Sequence, residues 1–137
     1  MLEAIDPTTG ERIRSVPTLD AHALSERIEA AHGAWKDWRR TDFGERAGLL
    51  RAVAAHMRDN VKDLGYVMTE EMGKPVGEAH GEVEKAAWCA EHYAQHAEAY
   101  LATEHIESDA TSSYVQYLPL GVILGVLPWN APFWLAF

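Results

Sequence analysis

The chain has 137 residues, with 47% apolar and 24% charged positions and a net charge of −9. This is one small globular domain's worth of sequence, and its acidity argues against nucleic acid or an anionic membrane surface as a partner. A single cysteine excludes an internal disulfide framework, and the start, Met1 to Asp6, lacks the basic and apolar regions of a secretory signal, so a cytoplasmic location is expected.

Residues 5–17 read as a small hairpin. Pro7-Thr8-Thr9-Gly10 forms the turn, with Gly10 able to take positive φ, and Arg12 to Val16 alternates polar and apolar. A first helix follows, capped by Asp20 or Thr18, with Leu24, Ile28, Ala31, Trp35 and Trp38 as one apolar stripe. A second helix starts at Thr41-Asp42, where Asp42 and Glu45 have capping-box spacing, and runs on through Leu50, Val53, Met57, Val61, Leu64 and Met68. Gly73 is placed as its stop and Pro75 as the first residue of a third helix. That helix extends to Ala102 with the stripe Val83, Ala87, Ala90, Ala94, Ala97 and Leu101. From Glu104 to Leu118 the pattern is extended.

No charged residue occurs from Ala110 to Phe137. Val122 to Leu127 is a short β-branched-rich run, read as a strand buried on both faces in a parallel sheet. Pro128 and Pro132 then break the segment into a turn and a helix start. The stretch is long enough for a membrane helix, but its prolines, glycines and Asn130 oppose a plain span. Such a run belongs inside a large core, so the chain reads as the front part of something bigger.

Leu120 to Ile123 followed by Pro128-Trp129-Asn130-Ala131-Pro132 resembles the strand-to-active-site segment of the aldehyde dehydrogenase superfamily, whose usual form is Pro-Trp-Asn-Phe-Pro. Asp6 to Glu11, Thr69 to Pro75, Glu82 to Lys85 and Tyr93-Ala94 are similar to further family segments, in the same order. The Met72-Gly73-Lys74-Pro75 and Glu82 to Lys85 segments are most similar to the succinate-semialdehyde dehydrogenase branch.

The resemblance implies an α/β fold, incomplete here: a hairpin, three helices, an extended strand and the first strand of a dinucleotide-binding sheet. Residues 1–103 would form the hairpin and helical part of the cofactor domain. Residues 104–119 would lead toward an oligomerisation sheet, and 120–137 would hold the first cofactor-domain strand and the start of the active-site segment. It implies NAD or NADP as cofactor, a small aldehyde as substrate and a homo-oligomeric parent, with neither nucleic acid nor membrane as partner. The chain alone is expected to be inactive and to hold no cofactor tightly.

Asn130 is implied as the oxyanion donor, against the plainer reading of a turn residue between prolines. Val126, Leu127, Pro128 and Trp129 would line the cofactor cleft. Ala131, in place of the usual Phe, and Trp134 would shape the aldehyde tunnel. Cys89 lies mid-helix and reads as structural, since the family's nucleophile sits in a Gly-Gln-x-Cys segment that this chain lacks. His92 and His96 have a spacing that can hold zinc, but no third ligand is evident and no metal site is assigned. Glu70, Glu71, Glu82 and Glu84 read as a solvated or capping set, and Lys74 as bonding carbonyls at a helix junction. The rival reading is a non-catalytic helical interaction module whose apolar tail binds a partner or a membrane.

Overall fold

The computed structural model describes residues 1–137. Its first element is an antiparallel hairpin of β1 (Leu2–Ile5) and β2 (Arg12–Val16), three residues earlier at its start than the sequence pattern indicates. Asp6 closes the turn: its Oδ1 accepts from Thr8 N at 2.7 Å, and its carbonyl accepts from Gly10 N at 2.8 Å. Gly10 has φ 75°, a left-handed conformation that only glycine adopts without strain.

Four long helices follow: α1 (Ala21–Trp38), α2 (Phe43–Asp59), α3 (Val61–Met72) and α4 (Val76–Tyr100). Asp20 caps α1 through Ala23 N at 2.8 Å, and Asp42 caps α2 through Glu45 N at 2.7 Å. The expected second helix is in fact two. Asn60 leaves the helical region at φ −116°, ψ 21°, and its Nδ2 donates to the His56 carbonyl at 2.8 Å, ending α2. The apolar spacing runs through this break because both helices turn the same face to α4. Gly73 ends α3 at φ 73°, and Pro75 is the cap residue before α4 instead of its first residue.

The core is the seam of α2 and α3 against α4. Ala54, Met57 and Met68 pack on Ala79, Val83, Ala86, Ala87 and Ala90, with Leu50, Val53, Val61 and Leu64 around them. The alanines admit close approach, as does Gly65, where a Cβ would lie 2.5 Å from His80 Cδ2. Arg58 reaches across from α2, its Nη2 donating to Glu91 Oε2 at 2.8 Å and its Nε to Glu84 at 3.3 Å. Arg14 ties the hairpin to α3 through Glu70 at 2.9 Å and Glu71 at 3.3 Å.

The α1 stripe departs from expectation. No residue of α1 is buried, and Leu24 and Ile28 are 51% and 55% exposed, because no other helix covers that face. Beyond α4 a two-rung hairpin, β3 (Glu104–His105) with β4 (Tyr114–Val115), occupies the extended region. The Tyr117 hydroxyl donates to Glu104 Oε1 at 2.8 Å, which raises the phenol above its ordinary pKa.

Val122 to Leu127 is not a strand here. A strand is defined by its neighbour's hydrogen bonds, and no backbone–backbone bond ties this segment to another element. The turn and helix start that follow are present, as α5 (Pro132–Ala136) with its proline at the first position. No helix is long and apolar enough to cross a membrane.

Candidate active site

The segment 128–136 is seated on the α3–α4 junction by one buried carboxylate. Glu82, on α4, is only 7% exposed. Its Oε1 accepts from Phe133 N at 2.9 Å and from Trp134 N at 3.2 Å. These are N-terminal amides of α5, which lack intrahelical acceptors, and Ala131 at the cap position has no side chain to serve them. Glu82 Oε2 pairs with Lys74 Nζ, and the same ammonium donates to the Asn130 carbonyl at 3.0 Å. One ion pair thus holds residues 130, 133 and 134 together. Phe133 and Phe137 add apolar packing against the α2–α4 core.

Asn130 lies in the turn just before α5 and is exposed. Its carbonyl accepts from Lys74 Nζ at 3.0 Å, which anchors the turn from the main chain. Ala131 is half-buried and leads into α5, where its carbonyl accepts from Leu135 N at 3.1 Å. Trp134 is half-buried, with the Lys85 ammonium 3.7 Å from its ring centroid. Trp129 and Phe133 border a cavity of about 310 Å³ with Val67, Met68, Glu71, Met72 and Pro132. Val126, Leu127 and Pro128 are exposed.

Asn130, Ala131 and Trp134 are therefore brought together on one short turn and helix, with Trp129 beside them. Cys89 is apart from them in the chain, buried within α4. His92 lies tilted against His96, with ring centroids 4.6 Å apart, and its Nε2 lies 2.9 Å from the Tyr100 hydroxyl. Glu70, Glu71 and Glu84 form ion pairs with Arg14 and Arg58. Glu82 takes the capping side of the solvated-or-capping reading of that set: it is buried and caps a helix 51 residues away in sequence. Lys74 does bond a carbonyl, but that of Asn130 instead of one at its own helix junction. The signal for both lay in register. Glu82 directly precedes Val83 on the buried face of α4, where an acidic residue needs a partner.

The family model for the aldehyde dehydrogenase family matches residues 1–137. The chain is 34% identical over 131 residues to the NAD(P)+ succinate semialdehyde dehydrogenase Sad of Escherichia coli K12, covering 96% of this chain and 28% of that protein. It is 35% identical over 136 residues to a probable NADP+ succinate-semialdehyde dehydrogenase of Synechocystis, covering 99% of this chain and 30% of that protein. Its fold matches the crystal structure of succinic semialdehyde dehydrogenase from Streptococcus pyogenes in complex with NADP+, with a TM-score of 0.91 and 34% identity. That match covers 96% of this chain and 29% of the other. The chain thus spans less than a third of the length of these relatives.

Proposed function

The chain belongs to the aldehyde dehydrogenase family, and on that premise we propose that it is the N-terminal segment of an NAD(P)-dependent enzyme that oxidises succinate semialdehyde, or a similar short aldehyde, to the acid. The observation that carries this reading is the Pro128-Trp129-Asn130 turn, anchored to the body of the domain by Lys74 and the buried Glu82 while Asn130 itself stays open to solvent. An amide held this way is suited to donate to an aldehyde oxygen as it becomes an oxyanion. A donor already in place costs no reorganisation when charge develops.

The remaining roles follow along the segment. Val126, Leu127, Pro128 and Trp129 would border the cofactor. This role rests on their place at the end of the 122–127 run and directly before Asn130, since open α/β sheets bind ligands at the carboxyl ends of their strands. NAD or NADP would supply the hydride acceptor when bound. Ala131 and Trp134 would shape the aldehyde's approach, the alanine widening it and the indole narrowing it again. The nucleophilic thiolate and the group that activates water for thioester hydrolysis are not among residues 1–137, which hold no Gly-Gln-x-Cys segment. We assign neither role to Cys89.

The test is to translate the gene beyond Phe137 and assay the complete product for NAD(P)H formation with succinate semialdehyde. Asn130→Ala should then lower kcat by about 10²–10³ with a much smaller effect on cofactor affinity. A variant within about twofold of the parent would reduce Asn130 to a turn residue. A second reading, a non-catalytic helical module, draws on the exposure of Leu120 and Leu124. It requires that no product of the gene oxidises aldehydes.

A further inference from the structure

We propose that Glu82 and Lys74 are positioning residues that hold Asn130 in place, an inference that rests on the oxyanion role given to Asn130 above. A buried ion pair is weak support for stability, since desolvation of both ions offsets much of their attraction. Apolar residues of similar size would serve packing as well. What they cannot do is hold main-chain polar groups, and here the pair holds three: the N–H groups of Phe133 and Trp134 and the carbonyl of Asn130.

The geometry explains why both ions are needed. Glu82 reaches from the buried face of α4, and Lys74 from the loop between α3 and α4. Glu82 fixes α5 three and four residues after Asn130, and Lys74 fixes the turn itself. Between these anchors the peptide linking Asn130 to Ala131 cannot rotate without breaking a charge-assisted bond. With its carbonyl and the helix after it both anchored, the Asn130 Cα is held in place, and the reach of its side chain is set from there. A catalytic group displaced by about 1 Å can cost on the order of 10²-fold in rate.

The substitutions separate this from a purely structural role. Glu82→Gln keeps an acceptor for the two amides but turns an NH2 donor toward the Lys74 ammonium. Lys74→Met removes the bond to Asn130 and leaves the carboxylate unpaired. Lys74→Arg keeps the charge and a donor. In the complete enzyme, Glu82→Gln and Lys74→Met should each lower kcat by about 10–100-fold. The KM for NAD(P)+ should stay within about twofold, and amide exchange at Phe133 and Trp134 should accelerate in Glu82→Gln, whose neutral oxygen is the weaker acceptor. Lys74→Arg should recover most of the rate.

The decisive comparison is made in an Asn130→Ala background, where Lys74→Met should cost less than about twofold further, because the group it positions is already gone. A loss that multiplies fully in that background would overturn the proposal. So would wild-type kcat in both single variants, or unchanged amide exchange in Glu82→Gln. If Glu82→Gln fails to fold, the two Lys74 variants decide alone. If the parent enzyme oxidises no aldehyde, the functional reading fails separately, and the exchange rates still report whether the clamp holds the turn.

Discussion

At Gly65 a missing side chain sets the distance between two helices. The Cβ of an alanine there would lie 2.5 Å from His80 Cδ2 and 3.3 Å from the His80 backbone nitrogen. Part of that clash is with an imidazole that can turn, and part is with backbone that cannot. Gly65→Ala should therefore destabilise the domain by about 1–3 kcal/mol, the usual range for overpacking. His80→Ala should recover only some of it, read by urea denaturation of the single and double variants. Gly81 is the contrast. It lies within α4 with open space where its Cβ would go, so Gly81→Ala should stabilise by about 0.5–1 kcal/mol. Residue identity was informative at such points when it specified a local conformation. Gly10, Gly73, Asp20 and Asp42 all act where their chemistry placed them. For Glu82 the register signalled a need for partners without naming them: Lys74 and the amides of residues 133 and 134 come from other parts of the chain, and only the fold reveals them.

At the scale of elements, the α2–α4 seam carries the domain, and Arg58 bridges it where the apolar contacts thin toward solvent. The hydrogen bond from Arg58 holds the Glu91 carboxyl below its ordinary pKa, and the same bond raises Arg58. A depressed carboxylate contributes stability that is fully present above its unfolded-state pKa and lost as pH falls through its folded-state value. Glu91→Gln should then lower the melting temperature at neutral pH. The gap between variant and parent should narrow as the solution is acidified below the ordinary glutamate range and close once the folded-state carboxyl is protonated. A constant gap down to the acid limit would mean that Glu91 acts through packing alone. The break between α2 and α3 belongs to this scale too. Arg58-Asp59-Asn60 contained a turn residue, but the apolar spacing from Leu50 to Met68 outweighed it, because both helices dock on one partner. The strand expected at 122–127 is absent for a related reason: side-chain pattern marks a strand's character, whereas its hydrogen bonds need a neighbouring strand, and none of residues 1–137 supplies one.

For the molecule as a whole, the uncovered apolar surface has consequences for its behaviour in water. Residues 118–127 carry Leu118, Leu120, Ile123, Leu124 and Val126, and Leu120 and Leu124 are 90% and 88% exposed. Their backbone groups are equally unpaired, which makes the segment a template for pairing between chains. The α2–α4 core does not depend on it, since its buried residues all lie between positions 54 and 90. Two proteins separate these contributions: residues 1–137, and a chain ending at Ala102. The first should scatter light and sediment as aggregates at micromolar concentration. The second should stay dispersed and remain largely helical by circular dichroism, with a broadened melt, because it loses the packing of Phe133 and Phe137 and leaves Glu82 without its two amides. Replacing Ile123 and Leu124 by lysine in the 137-residue chain should suppress aggregation without changing helix content. That step locates the cause in the segment instead of in the helices. A monodisperse 137-residue monomer with a cooperative melt would refute the argument and favour the independent module.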